Sequence, residues 1–405
     1  MTYVFYLFSA VLVFFSYRSF RGGITYLRFF REEIAKPRSE FTPFTTVFAP
    51  CKGLDPGLSE NLGSLLAQDF PDYEVIFIVD DENDPAVKVI NEVAEKFPGS
   101  EGRPRVATRL VVAGKAERSS QKVENLREAV LHSSKRSEMF VFVDSDVRPG
   151  PDWLRNLIAP LAADDIGAAS GYRWFISKRP SFGSEMRSVW NASIASALGP
   201  NTKTNFCWGG SMAIRRDVFD RVNMREKWLG TLSDDFAVTR TMKSAGMPIV
   251  FVPQALSATV ENCSFSEMLE FTTRQMKITR VYAPELWKLS FFGASVFTFI
   301  MSAAFLIIIF SRANAAAVWL SVAVLLVVSI FSIGKSWLRL RAVAIVLADY
   351  RKELNRQFWT QNTLWILAPP VFFYNAFSAL ISRRMKWRGI TYELKSPHET
   401  VIISD

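Results

Sequence analysis

The sequence predicts an α/β domain built on a mainly parallel sheet and held between helical membrane anchors. Three observations carry this prediction: apolar strand-like runs alternate with helical segments through the middle of the 405 residues, acidic clusters close two of those runs, and the long apolar stretches lie toward the two ends.

The first apolar stretch, 3–17, is followed by Arg18, Arg21, Arg28 and Arg31 with no small-residue cleavage site between them, which fits a retained anchor better than a removed leader. The expected organisation is an N-terminal transmembrane helix over 1–20, a basic linker over 21–44 and the α/β domain over 45–285. Two transmembrane helices follow within 286–334, where the runs 290–310 and 315–333 each reach the roughly 20 residues needed to cross the hydrocarbon. An interfacial helix over 335–358, a broken or re-entrant membrane segment over 359–382 and a cytoplasmic tail over 383–405 complete the chain.

The elements of the middle domain read in order. A strand over 45–49 ends at Pro50, and an amphipathic helix over 58–67 ends near Asp69-Phe70-Pro71. The strand Tyr73–Val79 breaks into Asp80-Asp81-Glu82-Asn83-Asp84 and leads to a helix over 85–97. A strand over 108–112 passes through Gly114 to a helix over 122–132, and the wholly apolar Met139–Val143 runs into Asp144-Ser145-Asp146. In parallel sheets ligands sit beyond the carboxyl ends of the strands, so the clusters at 80–84 and 144–146 converge on one crevice.

The net charge of +9 comes from Lys and Arg gathered at 18–38, 335–341 and 383–388, beside the apolar segments. This is the positive-inside pattern; it puts the middle domain in the cytoplasm and argues against a nucleic-acid partner. Cys51, Cys207 and Cys263 are scattered and odd in number, as free thiols are, and His132 and His398 are too few for a zinc site. One more crossing after 333 would export Arg383-Arg384-Met385-Lys386-Trp387-Arg388, against that pattern. The 363–381 segment, with Pro369-Pro370 near its centre, therefore reads as re-entrant or broken, and 337–354 as lying along the membrane surface.

Three stretches carry chemistry. Asp144 and Asp146 offer hard oxygen ligands for Mg2+ or Mn2+, or else form a turn capping the helix that starts near Pro151. Asp234 and Asp235 precede a helix over 236–245; they are either an acidic helix cap or, facing the same crevice, a catalytic pair with Asp235 as general base. Gly209-Gly210, within Phe206-Cys207-Trp208-Gly209-Gly210-Ser211-Met212, forms a tight turn or lets backbone approach a ligand. The segment 224–233 is a candidate water-excluding lid.

The chain resembles inverting family-two-type glycosyltransferases of the glycosyltransferase A fold, and most closely the ceramide glucosyltransferases and their bacterial hopanoid-associated relatives. The resemblance covers about 47–391. It rests on Ala49-Pro50-Cys51-Lys52-Gly53, Gln68-Asp69-Phe70-Pro71, Phe77-Ile78-Val79-Asp80-Asp81, Gln121-Lys122-Val123-Glu124-Asn125-Leu126, Val143-Asp144-Ser145-Asp146, Gly209-Gly210-Ser211-Met212 and Ser233-Asp234-Asp235, in that order and spacing.

The resemblance implies a Rossmann-like glycosyltransferase A-type catalytic domain, a UDP-sugar donor and a divalent cation. It assigns Pro50, Lys52, Asp80, Asp81, Lys122, Asn125 and Asp144 to the donor, with Asp81 at the uridine. Asp144 and Asp146 meet the metal and diphosphate, and Asp235, beside Asp234, takes the acceptor proton. The family's usual Arg-Trp is replaced in Arg274-Gln275-Met276-Lys277-Ile278, which counts against polymer synthesis; Arg274 and Lys277 either face the diphosphate or lie on an interfacial helix.

The expected reaction is inverting transfer of a hexose, glucose by resemblance, to the hydroxyl of a membrane lipid such as ceramide, with the bacterial inner membrane as the expected compartment. Other acceptors (a hopanoid, diacylglycerol, polyprenyl phosphate or polysaccharide) and an inactive membrane scaffold are the competing readings.

Overall fold

The apolar runs of the middle region become strands. In the computed structural model, which describes residues 2–97, 106–311 and 314–404, β1 (Thr45–Pro50), β2 (Tyr73–Val79), β3 (Ala107–Val112), β4 (Met139–Val143), β5 (Ala168–Ile176), β6 (Ser211–Arg215) and β7 (Ile249–Val260) form one sheet in the order β3-β2-β1-β4-β6-β5-β7. β1, β2 and β4 are buried along their whole length, as strands covered on both faces must be. β3 to β4 run parallel across that order, β6 is antiparallel to both its neighbours, and β7 runs parallel to β5. The carboxyl ends of β1, β2 and β4 therefore share one edge, where Pro50, Asp80 and Asp144 emerge.

Aromatic side chains from β1 and β4 fill one face. Phe48 lies 5.3 Å from both Phe140 and Phe142, and Phe142 meets the edge of Trp228 at 5.3 Å. Trp228 is fully buried, as are Met224, Thr231 and Leu232. The Ser120 hydroxyl donates to the Leu232 carbonyl (2.7 Å), and the Ser120 N–H to the Thr231 carbonyl (3.0 Å). The 224–233 segment is thus part of the core and not a lid: its tryptophan and leucine are too apolar to leave it. Trp228→Ala is expected to cost about 3–5 kcal/mol through the cavity it leaves, read as a lowered midpoint in thermal unfolding followed by tryptophan fluorescence.

Residues 383–405 are not a tail. β8 (Arg384–Trp387), β9 (Ile390–Ser396) and β10 (Glu399–Ser404) form a three-stranded antiparallel sheet in the same compact unit as the seven-stranded one. The alternation Ile390, Tyr392, Leu394 puts three side chains inward, all buried. The Tyr392 hydroxyl accepts the Gln121 N–H at 3.1 Å.

A second, helical unit comprises Met1–Arg31, Ser177–Ser196 and Asn262–Ser382, so the α/β domain expected over 45–285 is interrupted and ends at Glu261 before resuming at Arg383. Among the described residues, four segments are long and apolar enough to cross a membrane: Tyr3–Ile34, Pro284–Phe310, Ala315–Val346 and Ala348–Ile381. The first helix, Thr2–Ile34, continues through the basic stretch assigned to a linker, because Tyr26, Leu27, Phe29 and Phe30 give that stretch a buried face and Pro37 stops it only later.

The Ala315–Val346 helix likewise runs past 335, where the expected interfacial helix was to begin. Arg339 is buried in it, donating to Gln361 Oε1 at 3.0 Å. The last segment is interrupted at the 3-10 turn Leu364–Leu367 and not at the double proline. Pro369-Pro370 falls in the first turn of Ala368–Ile381, where a missing N–H leaves no bond unmade. Within this unit Trp190 stacks on Phe372 with ring centroids 4.7 Å apart. A capping box between Ser264 and Glu267 starts the helix Phe265–Tyr282.

Candidate active site

At the carboxyl ends of β1 and β2, Lys52 Nζ lies 2.5 Å and Lys115 Nζ 2.9 Å from Asp80 Oδ2. Burial alone would raise the Asp80 pKa, yet the two ammonium groups hold it below the ordinary carboxylate value. Asp81 turns its Oδ1 toward the backbone and side-chain amides of Asn83 (2.9 and 3.1 Å). Asn125 is buried in the helix Gln121–Ala129, its Oδ1 accepting from Gln121 Nε2 at 2.9 Å.

β4 delivers the next pair. Asp144 lies 2.6 Å from Lys122 Nζ and 3.6 Å from Arg173, and Asp146 lies 3.1 Å from the same Arg173. Burial pushes both carboxyls up. For Asp144 the Lys122 and Arg173 cations outweigh burial and hold it below its ordinary value, whereas Asp146, facing Arg173 but also the Asp144 and Asp55 carboxylates, is pushed up to about 6. Arg173 rises from β5 and lies 4.6 Å over the Trp208 ring.

The helix Asp234–Ser244 brings the second carboxylate pair to the same lysine. Asp234 Oδ1 is 3.1 Å from Lys122 Nζ. Burial, with Asp235 and Asp144 nearby, pushes Asp234 up to about 6 despite that lysine. Lys122, shared by two carboxylates, is held above its ordinary value: burial opposes its charge, but Asp144, Asp234 and Asp235 prevail. Asp235 accepts the Gly209 N–H at Oδ2 (3.1 Å), and the Phe236 N–H (2.7 Å) and the Ser233 hydroxyl at Oδ1. Gly209 is required here, since a Cβ on it would lie 2.2 Å from Asp234 Oδ2 and 2.8 Å from Lys122 Nζ.

The structure thus brings Lys122, Asp144, Asp146, Asp234 and Asp235 together, with Lys52 and Asp80 paired at the neighbouring strand ends and Pro50 closing β1. Arg274 and Lys277 lie on Phe265–Tyr282 in the helical unit, and Ile278, standing where the usual tryptophan would be, is buried there. Sequence reasoning missed Lys115, Arg173, Asp55 and Arg388. A single arginine inside the otherwise uncharged Ala168–Ile176 was the available signal for Arg173. For Arg388 the signal was its place directly before a glycine between two strand-like runs.

A mainly parallel α/β unit with carboxylates gathered at its strand ends is built to hold a ligand beyond those ends. Residues 5–400 match the model for glycosyl transferase family 21, and the chain belongs to that family. Ceramide glucosyltransferase of Komagataella phaffii is 26% identical over 165 residues, covering 40% of this chain and 30% of the relative. Ceramide glucosyltransferase 1 of Caenorhabditis elegans is 21% identical over 207 residues, 50% of this chain and 43% of the relative. The chain spans less than half the length of these curated relatives. Among solved structures, the mannosyltransferase PcManGT from Pyrobaculum calidifontis, in complex with GDP-Man and Mn2+, aligns with a TM-score of 0.48 and 17% identity over 92% of this chain and 99% of that one.

Proposed function

We propose that this enzyme transfers a hexose, glucose in the first instance, from a UDP-sugar to the hydroxyl of a membrane lipid of the ceramide type, with inversion at the anomeric carbon. The observation that carries the reading is the convergence of Asp144 and Asp234, one carboxylate from each pair, on Lys122, with Asp235 held beside them by the Gly209 N–H and the Ser233 hydroxyl. The partial matches to ceramide glucosyltransferases support the acceptor class. The basic clusters beside the apolar segments support a cytoplasmic active site at the bacterial inner membrane, where a soluble donor and a bilayer acceptor meet.

Asp235 accepts the lipid hydroxyl proton as that oxygen attacks the anomeric carbon, and the glycosidic bond to the nucleotide breaks on the opposite face. Lys122 and Arg173 lie beside the diphosphate position and offset the charge that appears only as the bond breaks, so they lower the barrier and do not merely tighten binding. Lys52, Asp80, Asp81 and Asn125 hold the nucleoside end.

A divalent cation fits the residues present. Asp146 Oδ1 is buried without a hydrogen-bond partner, and Asp144 supplies a second carboxylate. Among the described residues no cluster of three or more His, Cys, Asp or Glu forms a complete protein cage. Two carboxylates suit Mg2+ or Mn2+, which take their remaining oxygens from phosphate and water. When bound, the ion supplies further charge compensation for the departing UDP. Chelation is expected to abolish sugar transfer and added Mn2+ or Mg2+ to restore it; full transfer in chelator would remove the ion from the reading.

The deciding experiment incubates the purified chain in detergent with UDP-glucose, Mn2+ or Mg2+ and ceramide, measures UDP release and identifies the lipid by mass spectrometry. Hexosyl-ceramide with inverted configuration is the expected product. UDP release without a ceramide product would move the acceptor to another lipid, and no turnover with any donor would overturn the enzyme reading.

A further inference from the structure

The loop between β8 and β9 is Arg388-Gly389, both at positive φ (52° and 89°), with Trp387 paired to Ile390 across it. A two-residue loop with both residues left-handed is the type I′ hairpin turn, whose first position ordinarily holds Asn, Asp or Gly. An arginine there is strained backbone, and such strain persists where the surroundings hold it in place.

The surroundings are the elements of the donor site. Tyr392, on the strand leaving the turn, is bonded to Gln121 at the start of the helix that carries Lys122. Arg388 Nη2 lies 2.6 Å from Asp55 Oδ1, and its Nη1 donates to the Lys52 carbonyl at 3.5 Å. Asp55 Oδ2 accepts the Ser145 hydroxyl at 2.6 Å, and Ser145 stands between Asp144 and Asp146, both of which feel the Arg388 charge. Compensating the buried Asp55 accounts for a cation at this point. It does not account for placing that cation on a strained hairpin tip with 40% of its side chain still open.

We propose that Arg388 is a diphosphate-positioning residue, carried by the C-terminal hairpin to the nucleoside-diphosphate donor. The inference rests on the nucleotide-sugar reading of the site. A diphosphate brought beside Asp55, Asp144 and Asp146 needs cations to offset the carboxylates, and the planar guanidinium fork matches two phosphate oxygens at once. Arg388 also lies beside the backbone of Lys52, whose side chain holds Asp80, so one cation joins the β1 and β4 strand ends.

The test uses Arg388→Asn in the full chain, because Asn suits the turn and the fold survives the loss of charge. Binding of UDP and of uridine is measured by calorimetry in detergent, alongside thermal unfolding. Arg388→Asn is expected to weaken UDP about tenfold to a hundredfold, to leave uridine within about twofold, and to remain folded with a lowered unfolding midpoint, since Asp55 loses its cation. Unchanged UDP affinity, or equal weakening of UDP and uridine, would overturn the proposal, the second result making Arg388 a support of the loop alone. A parent protein that binds no nucleoside diphosphate would overturn the donor reading along with it, and is recognisable because the parent itself is then silent.

Discussion

Asp235→Asn is expected to lower kcat by about a thousandfold while UDP affinity stays within a few-fold of the parent, since a positioned general base contributes on the order of 10²–10⁴. The amide oxygen of Asn in the Oδ1 position still accepts the Phe236 N–H and the Ser233 hydroxyl, and the amide nitrogen in the Oδ2 position gives up only the bond from the Gly209 N–H. The variant therefore keeps most of the local geometry and loses the ability to hold a proton. Initial rates of UDP release with saturating donor and lipid, set beside calorimetric UDP binding, separate the two effects. Near-normal turnover in a folded protein would exclude Asp235 as the base, and lost UDP binding would reassign it to the nucleotide.

Lys122→Met is expected to be the most destabilising single change in the site, by about 3–5 kcal/mol, because it leaves two carboxylates facing each other without their common cation. Asp144 and Asp234 lie 2.6 and 3.1 Å from the ammonium, which is 14% exposed, so water cannot take over its role. Adding Asp234→Asn to the same chain removes one of the stranded charges and is expected to recover part of the loss. Thermal unfolding of the parent, the single variant and the double variant measures both effects. A single variant as stable as the parent would mean that the carboxylates share a proton or relax into solvent, and would remove Lys122 as the keystone of the site.

Much of the fold could be read from local pattern. β2 and β4 begin and end at the residues expected, because their uniform apolarity stops abruptly at Asp80 and Asp144. Asp144, Asp146, Asp234 and Asp235 stand out by their order and spacing along the chain, since either pair alone reads as well as a turn or a helix cap. Their common partner was legible only as part of a motif: nothing in the spacing says that Lys122 bridges Asp144 and Asp234. The hairpin itself can be read from Arg388-Gly389 between two strand-like runs, but the pairing of its arginine with Asp55 cannot, because it is set by tertiary docking. The helix Phe182–Ala195 was missed because its buried residues include Glu185, Arg187, Ser188 and Asn191, so it lacks an apolar stripe. The helices Thr2–Ile34 and Ala315–Val346 run on past their apolar stretches, because a helix carries clustered arginines readily when one face remains apolar.

The docking of β9 onto the α/β unit also fixes an order of events. The bond between Tyr392 and Gln121 spans 271 residues, a separation at which closing the loop is slow compared with forming the local turns and helices. During synthesis the Gln121–Ala129 helix and β4 emerge long before the hairpin that completes their surroundings, and the apolar segments Pro284–Phe310, Ala315–Val346 and Ala348–Ile381 are made in between. A nascent chain therefore carries its carboxylates without Arg388 until translation has passed the last of those helices, and the proposed diphosphate cation joins the site only then.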